Sequence, residues 1–147
     1  MYNVKSKFSL CCWLMLLACS RPDNTLEKPL QALDPAGPAN GSYVIIPNQG
    51  CEGCISTAES FVKNHISSTA DIRYVFTRIQ SVKLLKIKLG ATVMYSNKVL
   101  LDTANTIPYP DKQKEIYPMI VRVKNHKVTE ITYQSPESDG FADLLKR

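Results

Sequence analysis

Cys51-Glu52-Gly53-Cys54 stands between a run of apolar and β-branched residues, Tyr43-Val44-Ile45-Ile46, and a segment in which Ile55, Ala58, Phe61 and Val62 recur at helical spacing. A continuous apolar run of that length, stopped by Pro47, suits a strand covered on both faces, so a central parallel strand is expected there. Pro47 to Gly50 reads as a loop, and the helix after the cysteines runs to about His65. The first cysteine therefore falls where a strand hands over to a helix, a unit that points to an α/β architecture.

Further along, Ile72, Tyr74 and Phe76 alternate with Arg73 and Thr77, which predicts a second strand over about Asp71 to Arg78. Gln80 to Leu89 reads as a helix with Val82, Leu85 and Leu89 on one face and Gly90 as its stop. Thr92 to Thr103 is expected to be extended, and the proline-containing stretch to Asp111 a loop. Met119 to Val123 and Val128 to Tyr133 flank Lys124-Asn125-His126-Lys127, a hairpin signal. Ser135 to Arg147 is expected to form a short last helix, with Phe141, Leu144 and Leu145 facing inward. At 147 residues and 44% hydrophobic content the chain can build one core of moderate size.

The N-terminus departs from that pattern. Lys5 and Lys7 precede an apolar run from Phe8 to Ala18 broken only by Ser9, the arrangement of an export signal. The run is roughly half the ~20 residues that a membrane-spanning helix needs. It ends Leu16-Leu17-Ala18-Cys19, which resembles the lipobox of bacterial lipoproteins at all four positions. That resemblance implies cleavage after residue 18, lipid on Cys19 and tethering to a membrane of the cell envelope. Ser20 after the cysteine resembles the outer-membrane sorting pattern, with the domain facing the periplasm or the cell surface. Residues 19–41, rich in proline, read as the tether, and the folded domain is expected over 42–147.

Removal of residues 1–18 takes Cys11 and Cys12, lipid consumes Cys19, and only Cys51 and Cys54 remain as thiols. In an oxidising compartment such a pair normally becomes a disulfide. Net charge falls from +5 to +3 with Lys5 and Lys7. Lys83, Lys86 and Lys88 read as the wet face of a helix, and nucleic acid is not an expected partner outside the cytoplasm.

At the start of a helix, free amide N–H groups and the helix dipole stabilise a thiolate. Cys51 is therefore the candidate nucleophile, and Cys54, one turn later, the resolving thiol. At this point the chain resembles the thioredoxin-like superfamily over about Ser42 to Arg147. The strand, CxxC and helix carry the resemblance, together with Tyr117-Pro118-Met119-Ile120-Val121-Arg122-Val123-Lys124-Asn125-His126-Lys127-Val128. It implies a three-layer fold, a central mixed β-sheet flanked by helices, with Pro118 cis beside the cysteines and Tyr117 offering backbone groups to a partner. The roughly 65 residues between Cys54 and Pro118 point to an insertion over Ala91 to Ile116, as in membrane-tethered proteins of the TlpA/ResA type. Glu-Gly stands where the most familiar members have Gly-Pro, and no tryptophan precedes Cys51.

The activity implied is thiol-disulfide exchange with disulfide-bearing exported proteins, by a monomer and without a cofactor. Glu52 opposes the helix dipole: a carboxylate about 7 Å from a thiolate, at an effective dielectric of about 40, costs roughly 1 kcal/mol. Cys51 is therefore expected to be only mildly acidic, which suits a reducing or isomerising role better than strong oxidation. Two other readings stay open. The pair could be a structural disulfide in a thioredoxin-fold interaction module, or two thiolates with His65 or His126 could handle copper or zinc. Asp102-Thr103-Ala104 also matches a three-residue O-glycosylation motif of some Bacteroidetes.

Overall fold

The computed structural model describes residues 25–145. The readings of the export signal and of Cys19 lie outside the described residues. No helix among the described residues is long and apolar enough to cross a membrane.

The strand that ends in the CxxC loop is β1, Asn40–Pro47, buried from Gly41 onward. It pairs in parallel with β2, Ile72–Thr77, and antiparallel with β4, Met119–Lys124. Outside these lie β3, Val99–Asp102, parallel to β2, and β5, Lys127–Tyr133, antiparallel to β4. The sheet is thus mixed and five-stranded, in the order β3-β2-β1-β4-β5.

Strand alternation divides the core in two. Val44, Ile46, Tyr74, Phe76 and Ile120 face one side, where α2 (Glu52–His65) and α3 (Val82–Leu89) pack through Ile55, Ala58, Val62, Leu85 and Leu89. Tyr43, Ile45, Val75, Met119 and Val121 face the other side, covered by Ile107 and Tyr109 and by a helix, α1, Glu27–Leu33. Helices on both faces make three layers.

α1 corrects the reading of residues 19–41 as tether. Leu26 and Leu30 are buried against the sheet, and the carboxylate of Glu27 accepts the Val128 N–H at 3.1 Å. Pro29, which reads as a breaker, sits in the first turn, where a backbone N–H has no helical partner to lose. Among the described residues the folded part therefore extends N-terminal to Ser42 and includes Leu26 to Leu33.

Two other elements differ from expectation. The stretch expected to be extended from Thr92 opens with a one-turn helix, α4, Ala91–Met94, after Gly90 breaks α3 at φ 87°. Only Val99–Asp102 is strand. Among the described residues no helix forms after Ser135. Gly140 instead packs so closely on Tyr133 and Ile120 that a Cβ would meet the Tyr133 carbonyl at 2.9 Å, and Phe141 stacks on Phe61 at 4.6 Å. Phe141 and Leu144 are buried as expected, whereas Leu145 is exposed. Side-chain anchors, not helical hydrogen bonds, hold this tail. The hairpin, β2, α2 and the body of α3 stand within two residues of their expected bounds; Val82, expected inward, is exposed.

Candidate functional site

Because β1, β2 and β3 are parallel, their C-terminal ends come together at one edge of the sheet, and the CxxC loop leaves β1 at that edge. Cys51 is the N-cap of α2, with extended backbone, and is disulfide-bonded to Cys54 across a Cα–Cα distance of 5.3 Å. The Cys54 N–H points at the Cys51 sulfur at 3.4 Å, so a free amide of the first helical turn serves that sulfur. Cys51 is half-buried; Cys54 is buried, at 6% exposure. Glu52 and Gly53 are exposed beside them.

The loop before β4 closes over the motif. The Cys51 N–H donates to the Ile116 carbonyl at 3.0 Å, and Gly50 lies against the same peptide with φ 145°. A Cβ at residue 50 would collide with Ile116, so glycine is required for both the backbone angle and the approach. Pro118 is buried in the strand entrance and Tyr117 is half-buried.

One expectation about these residues is corrected. No cis peptide occurs among the described residues, so Tyr117–Pro118 is trans. A short 3₁₀ turn, Lys112–Lys114, precedes it, and the Tyr117 N–H donates to the Lys114 carbonyl at 3.0 Å, which lets the ordinary trans isomer enter β4. That N–H is therefore bonded within the chain.

Arg78, which sequence reasoning passed over, holds the loop in place. It follows β2 with φ 54°, its N–H donating to the Asn105 side chain at 2.8 Å. Its guanidinium donates to the Glu115 carboxylate at 2.8 Å and to the Glu115 carbonyl at 3.1 Å, and lies 5.3 Å from the centre of the Tyr109 ring. Burial pushes the Tyr109 hydroxyl's pKa up, and that hydroxyl has no hydrogen-bond partner. The signal was positional: Arg78 stands one residue beyond a parallel strand, where such folds place their functional groups.

Asp102 ends β3 at the same edge. Burial would raise its pKa, but the amides of Thr106 and Ile107 and the hydroxyls of Thr106 and Thr77 all donate to it, and the result lies below its ordinary value. Its carboxylate organises the turn that carries Asn105.

The histidines are not brought to the cysteines. His65 is at the far end of α2, about 20 Å from Cys51 by helical rise, with Nδ1 on the Phe61 carbonyl at 2.8 Å. His126 is at the hairpin tip, the end of β4 away from Met119. It borders a cavity of about 580 Å³ under α1, with Glu27, Asp34 and Tyr43, remote from the disulfide. Among the described residues no three His, Cys, Asp or Glu side chains gather in a way that could hold a metal ion.

Comparison of the chain with protein-family models, with curated proteins and with solved structures finds no match in any of the three.

Proposed function

We propose that the chain is a thioredoxin-like thiol-disulfide exchange protein, lipid-anchored through Cys19 in a bacterial cell envelope, outer membrane favoured. Its partners are exported proteins that carry disulfides. The observation that carries this reading is the asymmetry of the pair: a half-buried Cys51 capping α2 with the Cys54 amide on its sulfur, and Cys54 buried behind it. In the dithiol form the Cys51 thiolate attacks a partner disulfide, a mixed disulfide forms, and the displaced partner sulfur takes up a proton. Cys54, losing its own proton, then attacks Cys51, expels the second partner thiol and restores the internal disulfide. Two electrons pass to the partner, and no cofactor is needed.

The test is the reduction potential of the pair, by equilibration against glutathione or dithiothreitol, joined to trapping with Cys54→Ser. A value of about −180 to −280 mV and a mixed disulfide on Cys51 support exchange. A value far below about −300 mV, with nothing trapped, supports the second reading, an interaction module with a structural disulfide. One observation favours that second reading: the Tyr117 N–H is bonded to the Lys114 carbonyl, a bond that would have to be given up before it could pair with a partner strand.

A further inference from the structure

From Ile72 to Leu101 the sequence holds six cations, Arg73, Arg78, Lys83, Lys86, Lys88 and Lys98, and no acidic residue. The structure neutralises part of that charge. Arg73 pairs with Asp34 and Asp71, Arg78 with Glu115 and Lys88 with Glu59, while Lys98 donates to the carbonyls of Ser68 and Ala70. Lys83 and Lys86 meet no carboxylate among the described residues, and Lys86 bonds only to the uncharged hydroxyl of Tyr95.

Those two lysines border an apolar surface. Leu85 and Leu89 turn α3 into the core, which leaves Leu84 and Ile87 on its outer side at 65% and 71% exposure. They are three residues apart and adjacent on the helix surface; Lys83 flanks Ile87 and Lys88 flanks Leu84, each at a spacing of four. Tyr95, 74% exposed, extends the patch beyond Lys86. Neighbouring exposed apolar side chains within a charged rim are the kind of surface that interaction sites use. The patch also adjoins the disulfide edge, because the Gln80 N–H, just before α3, donates to the Asn48 side chain in the CxxC loop.

We infer that the outer face of α3 docks an acidic protein partner, apolar at the centre of its contact and carboxylate-rich around it, and holds that partner beside Cys51. Charge selects this occupant. A second copy would bring lysines against lysines. A membrane would have to meet the face of the sheet opposite α1, whereas α1, the described helix nearest in sequence to the proposed lipid, packs on the other face. The inference deepens the exchange reading by naming the class of partner, and rests on it for the role of the neighbouring disulfide.

The test is binding of two labelled peptides to the full chain by fluorescence anisotropy, one alternating Glu with Leu and the other Lys with Leu. The acidic peptide is expected to bind at least about tenfold more tightly at low salt, with the preference largely lost at about 0.5 M salt. The K83E/K86E variant should reverse the preference, L84S/I87S should weaken binding about tenfold, and C51S/C54S should bind like the parent. Absence of any preference, no effect of K83E/K86E, or binding only to phosphatidylglycerol vesicles would overturn the inference. Binding of the acidic peptide by a chain that fails to reduce a small neutral disulfide would leave the docking face standing and remove the exchange reading alone.

Discussion

The main-chain N–H of Cys51 and the carbonyl of Ile116 are joined by a 3.0 Å hydrogen bond. This links the start of α2 to a loop 65 residues later in the chain, and that loop is itself gripped at Glu115 by Arg78. Anything that loosens residues 115–116 thus reaches the backbone of the first cysteine without touching either sulfur.

Arg78→Ala should therefore act twice. The ion pair is about one third exposed on each side, so its loss should cost only about 1 kcal/mol in a urea unfolding curve. Exchange of Cys51 with a small disulfide should change more than that stability loss explains, and Arg78→Lys, which cannot reach both Glu115 oxygens in a fork, should restore it in part. Identical exchange rates in all three proteins would sever the proposed link.

The contribution of α1 can be measured directly. Leu30→Ala should cost about 2–5 kcal/mol, the range for a buried leucine. A chain beginning at Ser42 should unfold at a markedly lower temperature than one beginning at Thr25, because it uncovers Tyr43, Ile45 and Val121. Equal melting temperatures for the two chains would show that the helix packs without stabilising the sheet.

Asp102→Asn removes a carboxylate that accepts four hydrogen bonds and leaves amide donors facing an amide. A loss of about 1–3 kcal/mol at neutral pH is expected. Since the folded pKa lies below the ordinary 3.8, the carboxylate's contribution is present above that unfolded value. It is lost as pH falls through the folded one. The gap between the parent and the variant should accordingly narrow in urea titrations below about pH 4; a gap that stays constant down to pH 2 would contradict the assignment.

Tyr74 is fully buried and its hydroxyl has no partner, so Tyr74→Phe should be neutral or stabilising by up to about 1 kcal/mol. Burial pushes its pKa up from 10.0 to about 12. The unfolded chain therefore ionises first, and the stability of the parent protein should fall as pH rises from 10 towards 12. The phenylalanine variant should lack that component in alkaline melts.

The parts of the fold legible in the sequence were those with strict periodicity or punctuation. Tyr43 to Pro47 announced the central strand, Ile55 to Val62 the helix behind the cysteines, and the Lys-Asn turn the hairpin. What escaped depended on long-range partners. Leu26 and Leu30 form a stripe too short to stand out among prolines, and the sheet face of Tyr43 and Ile45 gives it meaning. Phe141 and Leu144 satisfied a helical pattern that Gly140, wedged against Tyr133, does not permit. At the site, the cysteines could be read from spacing alone. Arg78, Glu115 and Ile116 could not, because their relation to Cys51 exists only once β2 and β4 lie on either side of β1.

Folding of residues 25–41 onto the sheet also shortens the leash. With lipid on Cys19, as proposed, only Ser20 to Asn24 are left to separate the bilayer from the packed domain. Six Cα steps reach at most about 20 Å. Under that proposal a domain held so closely would patrol a thin layer next to the lipid surface and would not search the width of the compartment. Its encounters would then be those of a nearly two-dimensional search, which would favour partners that are themselves at the membrane over those that diffuse freely.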